Sequence, residues 1–315
     1  MYSYENYHKV KDGIEKRRRD ALAAAEAREL YVRSQSPDIE RIDSELSKTG
    51  LELFRIACTG GDLEPLKKRN RQLVEERKRL LVRLGYPADY TEVKYSCPDC
   101  SDTGYIKNGA AMCHCFREAL IKENIASSGI GRLIEKQSFD NFDLNWYKSN
   151  GDTYARMSNN LAAAKDYVRD FGNGQNLLLI GKTGTGKTHI STAIARELIH
   201  KGYDVVYDSA QNIVSDFEAD KFRSGYSQQE SRSEKYLVCD LLIMDDLGTE
   251  FLNQFTVSCI YNLLNTRQNR GFSTIISTNL SPEELAHRYE DRIYSRMVGR
   301  GTQILFFAGD DHRIG

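Results

Sequence analysis

The chain lacks a dominant charge: 44 Lys and Arg stand against 45 Asp and Glu, a formal net charge of −1 over 315 residues. A bulk field that gathers polyanions is thereby excluded, and any contact with nucleic acid has to come from a local basic patch. No apolar run approaches the roughly 18 residues of a membrane span, and no charged-then-apolar leader opens the chain. A cytoplasmic protein with no membrane partner is the expectation. In a reducing compartment the seven cysteines do not form a disulfide framework. Four of them crowd between positions 97 and 115, and such crowding suggests a metal. The length suits two domains, one of them large enough for a full α/β core.

Residues 1–90 show no strand-like alternation and are rich in Lys, Arg, Glu and Leu, so three helices are expected. The first, at 7–33, contains the helix-favouring run from Ala21 to Ala27 and a solvated charge run, Arg17, Arg18 and Arg19. Ser36 and Pro37 supply an N-cap and a first-turn proline for the second, in which Ile39, Ile42, Leu46, Leu53 and Ile56 recur at three- and four-residue steps. Gly60 and Gly61 end it. The third, at 63–84, carries Leu66, Leu73, Leu80 and Leu84 on one stripe before Gly85 and Pro87. Such stripes serve equally as the core of a bundle or as a docking face for another protein.

Cys97 and Cys100 form a CxxC, and Cys113 and Cys115 a CxC, with twelve residues between the two pairs. Thiolate pairs at the two ends of a short hairpin are the ligand set of a structural, tetrahedral Zn²⁺ site. If 113–115 is extended, its two sulfurs face one side and the His114 ring the other, which favours four cysteines; a knuckle turn would bring His114 in instead. A helix is expected at 116–126. The segment 137–146, QSFDNFDLNW, alternates Phe139, Phe142 and Trp146 with polar residues. It suits an ordered linker that packs on the next domain and lines a base pocket.

Beyond it the pattern is regular α/β. A helix at 155–171 precedes strands at 177–180, 205–207, 241–244, 274–277 and 303–307, separated by helices as right-handed crossovers require. Five parallel strands result. After the first, GKTGTGKT fits the phosphate-loop spacing G-x-x-x-x-G-K-[ST], and a helix from 189 to 200 adds its N-terminal dipole. The nucleotide-binding set is Gly181, Thr183, Gly184, Thr185, Gly186, Lys187, Thr188 and His189. Lys187 would reach the β- and γ-phosphates and the Thr188 hydroxyl would hold Mg²⁺. The third strand ends in Asp245 and Asp246: one carboxylate completes the Mg²⁺ shell, assigned to Asp245, and the next orients the attacking water. Glu250 competes with Asp246 for that second role. Asn279, after the fourth strand, stands where sheets of this kind present groups to ligands. Arg292 and Arg296 lie four apart on one helix face, and Arg313 follows near the end.

The strings GKTGTGKTH, LLIMDDLGTE, STNL and RIYSRM, in this order, resemble the AAA+ core of bacterial replicative helicase loaders of the DnaC/DnaI type. The likeness spans roughly 137–315, and the cysteine module with its preceding helices extends it to most of the chain. The sequence is also similar to the IstB-like ATPases of transposons. The resemblance implies ATP, Mg²⁺ and Zn²⁺ as cofactors, Asn279 as sensor 1, Arg296 as an arginine finger with Arg292 its close rival, and Arg313 as sensor 2. It also implies three regions: a helical partner-binding region at 1–90, a zinc-binding module with its connecting helix at 91–136, and an AAA+ ATPase domain at 137–315. Only eight residues follow Phe307, so a large C-terminal lid is not expected. Asp246 stands where many AAA+ proteins carry glutamate, which implies slow hydrolysis. The implied function is an ATP-switched loader that binds a replicative helicase hexamer and single-stranded DNA and self-associates through its ATPase domain. Two alternatives stay open: a transposition regulator on duplex DNA that recruits a transposase, and a nucleotide-sensing module with little turnover.

Overall fold

The computed structural model describes residues 3–148, 151–172, 174–222, 231–309 and 311. They fall into two compact units, Lys11–Phe116 and Met1–Val10 with Arg117–Gly315. Among the described residues no helix is long and apolar enough to cross a membrane.

The three expected helices are α1 (Tyr4–Gln35), α2 (Pro37–Thr59) and α3 (Glu64–Arg83). The Ser36 hydroxyl accepts the Ile39 N–H at 3.4 Å, and Pro37 fills the first turn of α2, so the cap works as its residue types dictate. Val32, Ile39 and Leu81 form a small core. Beside it the buried Asp43 carboxylate receives Arg33 Nε at 2.9 Å and Arg77 Nε at 2.6 Å, so one acid ties three helices together. The stripe on α3 differs from expectation at its end: Leu73 and Leu81 are buried, whereas Leu84 is the exposed C-cap residue. Strands β1 (Tyr105–Ile106) and β2 (Ala111–Met112) make a short antiparallel hairpin between the two cysteine pairs.

The other unit continues from α4 (His114–Ser127) through α5 (Leu133–Lys136), a 3-10 turn (Leu144–Tyr147) and α6 (Gly151–Arg169). Then come β3 (Asn176–Ile180), α7 (Lys187–His200), β4 (Val205–Ser209), α8 (Ala210–Lys221), α9 (Glu234–Val238) and β5 (Leu241–Leu247). The chain goes on through α10 (Gln254–Arg270), β6 (Ser273–Thr278), α11 (Pro282–Val298) and β7 (Thr302–Phe306). The five strands pair in the order β4-β5-β6-β3-β7, all parallel. This is the α/β fold the sequence pattern led us to expect. Side chains alternate between two cores: Leu177, Leu179, Leu241 and Ile243 face one, and Leu178, Ile180, Leu242 and Met244 face the other. Both faces of the sheet are therefore covered, which is why these strands read as continuous apolar runs. The face toward α6 and α7 also takes Ile130, Ile134, Phe142 and Tyr147 from the linker. At the sheet edge the Tyr207 N–H donates to Ser128 O at 2.7 Å, so the segment after α4 covers β4.

On the opposite face the fully buried Arg267 donates to Tyr236 O (2.8 Å), Cys239 O (3.1 Å), Ser273 O (2.5 Å) and Thr274 Oγ1 (3.0 Å). Burial holds its pKa below the ordinary value, and the ring of acceptors is what keeps the cation inside. We expect Arg267→Leu to orphan three buried carbonyls and to cost at least about 3 kcal/mol. The urea midpoint of the transition that carries the sheet measures this; an unchanged midpoint would contradict the assignment.

Candidate nucleotide-binding site

The phosphate loop, the two aspartates and Asn279 follow or end the carboxyl ends of β3, β5 and β6, which run parallel with β6 between the other two. From β3 the chain turns through the glycine-rich loop into α7, whose first residue is Lys187. This residue is buried, and its ammonium donates to Gly181 O at 2.6 Å, Lys182 O at 2.8 Å and Asn279 Oδ1 at 2.7 Å. The loop lysine and the asparagine after β6 are thus in direct contact. Gly186 adopts φ 96°, and a Cβ there would meet Tyr147 Oη at 2.8 Å and Phe142 Cε2 at 2.9 Å. Only glycine lets the linker close on the loop at this point. Thr185 O in turn accepts the Tyr147 hydroxyl at 3.0 Å. Asp311 packs where a Cβ on Gly184 would stand.

The end of β5 is bulged: its register against β6 shifts between Met244 and Leu247, and Asp246 takes φ 53°. In a regular strand consecutive side chains face opposite ways, and a bulge re-aims one of them. Here it turns Asp246 toward the cavity while Asp245 stays buried against Thr188. Asp245 is buried and accepts from Thr188 Oγ1 at 3.3 Å, from the Ser277 hydroxyl and from the Tyr207 hydroxyl. The Thr188 to Asp245 separation fits two oxygens on one Mg²⁺, since ligands at ~2.1 Å in octahedral geometry lie ~3 Å apart. Asp246 donates its N–H to Ser277 Oγ at 3.0 Å and its side chain is exposed to the cavity. Burial first, and then the Asp245 charge, raise the pKa of Tyr207, so its hydroxyl stays a donor at neutral pH.

Glu250 is placed differently. Its buried carboxylate accepts the Gly248 N–H at 2.8 Å and the Tyr289 hydroxyl, with Arg288 Nη2 3.7 Å away, and it is not among the cavity-lining residues. On α11, Arg292 is exposed beside Glu290 (3.2 Å), whose φ of 61° interrupts the helix. Arg296 is half-buried against α10, 3.2 Å from Gln268 Oε1 and 3.3 Å from the Tyr261 hydroxyl. Neither arginine lines the cavity. Arg313 lies outside the described residues.

The cavity itself is about 490 Å³, within the range of small-molecule sites. Thr183, Gly184, Gly186, Lys187, Thr188, His189, Asp246 and Asn279 line it on the side of the loop and strand ends. Leu133, Gln137, Asn141, Phe142, Asp143, Trp146 and Tyr147 line it from the linker. His189 Nε2 lies 2.9 Å from Ser138 O and 3.0 Å from Asn141 Oδ1, both acceptors, so this nitrogen carries the proton. Burial lowers the His189 pKa and keeps the ring neutral. Sequence reasoning overlooked Tyr207. Tyr207 pairs with Ile243 in the β4–β5 register, on the same side as Asp245, a relation visible only once the strand order is known.

In the Lys11–Phe116 unit the sulfurs of Cys97, Cys100, Cys113 and Cys115 all lie within 4.8 Å of one another, with Cys97–Cys113 at 3.8 Å and Cys100–Cys115 at 3.5 Å. A tetrahedral Zn²⁺ with ~2.3 Å bonds sets sulfurs ~3.8 Å apart, so the four fit that ion. Residues 114 and 115 belong to the first turn of α4 and are not extended; His114 Nδ1 lies 3.6 Å from Cys113 Sγ and 3.4 Å from Asp99 Oδ2, beside the cluster formed by the four sulfurs. Buried Asp102 accepts the Ser96 N–H at 2.8 Å and the Cys97 N–H at 3.0 Å and pairs with Arg17 Nη2 at 2.7 Å. Burial works to raise the Asp102 pKa, but these partners outweigh it and hold the carboxyl below its ordinary value. Arg17 therefore leaves the solvated run it was read into and braces the first cysteine turn.

Residues 124–300 match the family described as IstB-like ATP binding protein. The chain is similar to the replicative helicase loader DnaC of Escherichia coli (strain K12), at 29% identity over 181 residues, 57% of this chain and 70% of that protein. It is also similar to the phage-like element PBSX protein XkdC of Bacillus subtilis (strain 168), at 26% identity over 250 residues, 73% of this chain and 90% of that protein. Among solved structures, the crystal structure of the DnaC helicase loader aligns with a TM-score of 0.48 at 21% identity, over 56% of this chain and 98% of that one. The family match spans more than half of the residues and takes in both the phosphate loop and the paired aspartates: the chain belongs to the IstB-like ATP binding protein family.

Proposed function

We propose that this protein is an ATPase used as an assembly switch, which binds a replicative helicase hexamer and delivers it to single-stranded DNA. The observation that carries the reading is the convergence of Lys187, Thr188, Asp246 and Asn279 on one cavity, with Asp245 behind it on Thr188, in a chain similar to replicative helicase loaders. ATP with Mg²⁺ would be held by the loop N–H groups, Lys187, Thr188 and Asp245, and would supply the phosphoryl group to be cleaved. Asp246 orients the attacking water. Supporting that choice, its side chain lines the cavity, whereas the Glu250 carboxylate is engaged by Gly248 and Tyr289. For the arginine that completes a neighbour's site, Arg292 ranks above Arg296, because a finger has to reach outward and Arg296 is engaged with Gln268 and Tyr261. The helical region carries the partner surface; Leu51 and Phe54 on α2, each 73% exposed, support this role.

With its cognate replicative helicase, the purified chain should co-elute on size exclusion in at least one of three conditions: ATP, ADP or no nucleotide. Lys187→Ala should erase the difference between them. Absence of co-elution in all three overturns the loader reading. The resemblance to the IstB-like ATPases of transposons leaves a transposition regulator as the second reading, and ATP-dependent assembly on duplex DNA without the helicase would favour it.

Turnover separates the two arginines. Arg292→Ala should lower kcat at least about tenfold, with ATP affinity held within about twofold; an unchanged kcat contradicts the assignment.

The four cysteines bind one structural zinc, a reading the sulfur separations support. Natively purified protein should carry about one equivalent, and Cys97→Ser with Cys100→Ser should lose it. Less than half an equivalent in the unaltered protein counts against the site.

A further inference from the structure

We propose that Glu250 is a positioning residue for the arginine that a subunit presents to its neighbour: its buried carboxylate ties the loop after the paired aspartates to the first half of α11 and so sets where Arg292 stands. This rests on the reading above of Arg292 as the finger of a neighbour's site, and it links each subunit's own nucleotide site to the arginine it extends.

A buried carboxylate persists where donors meet it, and the two oxygens of Glu250 are met from two elements. Oε2 accepts the Gly248 N–H at 2.8 Å, within its own loop. Oε1 accepts the Tyr289 hydroxyl of α11, and Arg288 Nη2 donates to the Glu250 carbonyl at 2.8 Å. Two consecutive side chains of α11 are thus held by one residue. On the cavity side the same loop is tied to Asp246: the Thr249 hydroxyl donates to Asp246 O at 2.9 Å, and Asp246 and Thr249 both line the cavity.

The next residue of α11, Glu290, takes φ 61° and ψ 157°, which breaks the helix there. A non-glycine residue keeps such a conformation only where its surroundings impose it. Tyr289 before the break and Ile293 after it are both fully buried. Arg292 lies two residues past the break, exposed, with Nε 3.2 Å from Glu290 Oε2 and its guanidinium 5.4 Å from the centre of the Tyr261 ring. The direction in which Arg292 leaves the surface is therefore set one turn away, at the bond between Glu250 and Tyr289. A catalytic group misplaced by about 1 Å costs on the order of a hundredfold in rate. Burial of an acid that does not line the cavity thereby acquires a purpose: it fixes the arginine and leaves the water to Asp246.

The test mixes variants of the full-length protein and reads ATP turnover with Mg²⁺, the cognate helicase and single-stranded DNA present. Alone, Tyr289→Phe, which removes only the hydroxyl, and Glu250→Gln should each lower kcat at least about fivefold with ATP affinity held within about twofold. Mixed with Lys187→Ala, whose own site is dead but whose Arg292 is intact, each should recover turnover beyond the sum of the two proteins measured apart. Mixed with Arg292→Ala, neither should recover, because both partners then lack a well-placed finger. A Glu250 that served the water of its own site would give the reverse pattern. An unchanged kcat in either variant, no recovery with Lys187→Ala, or recovery with Arg292→Ala overturns this assignment. The reference mixture is Arg292→Ala with Lys187→Ala: no recovery there overturns the reading of Arg292 as a neighbour's finger, and this inference with it.

Discussion

The carboxylate of Asp245 receives hydroxyl groups from three separate elements: Thr188 on α7, Ser277 on β6 and Tyr207 on β4. The rest of the site depends on that convergence. A buried acid needs donors, and meeting this need fixes how the P-loop helix, the central strand and the edge strand stand relative to one another. Ser277 does double duty, because its oxygen also accepts the Asp246 N–H and so holds the bulge that turns the second aspartate into the cavity. The strand order makes this possible: with β6 between β3 and β5, Asn279 reaches Lys187 while Ser277 reaches Asp245.

The linker is the second half of the same construction. Phe142 and Tyr147 pack on Gly186, Tyr147 bonds to Thr185 O, and His189, next in the chain after Thr188, is anchored to Ser138 and Asn141. The phosphate loop is thus clasped by the residues that would surround a base. Loop and linker line one cavity together.

Much of this was legible in the sequence where geometry is local. The phosphate loop is readable because its spacing encodes backbone N–H groups converging over a few residues, and the five apolar runs are readable because a sheet covered on both faces has no polar side. The Ser36 and Pro37 cap was legible for the same reason. The features that stayed hidden depend on pairing across the chain. That Asp246 faces the cavity follows from a bulge against β6, and that Glu250 is occupied follows from Tyr289, 39 residues away. The exchange of Leu84 for Leu81 reflects where α3 ends, and the role of Arg17 reflects a partner, Asp102, that no helical pattern points to. Tyr207 is an ordinary residue until the strand order is known.

The central claim is that Asp245 and Thr188 hold the metal that fastens ATP to the loop. Calorimetric titration of ATP with Mg²⁺ and with EDTA, for the unaltered protein and for Asp245→Asn, tests it directly. The account predicts that Mg²⁺ tightens binding at least about tenfold in the unaltered protein and that Asp245→Asn loses this increment while still binding ATP in EDTA. Equal affinity with and without Mg²⁺ in the unaltered protein, or a full increment in Asp245→Asn, would contradict it.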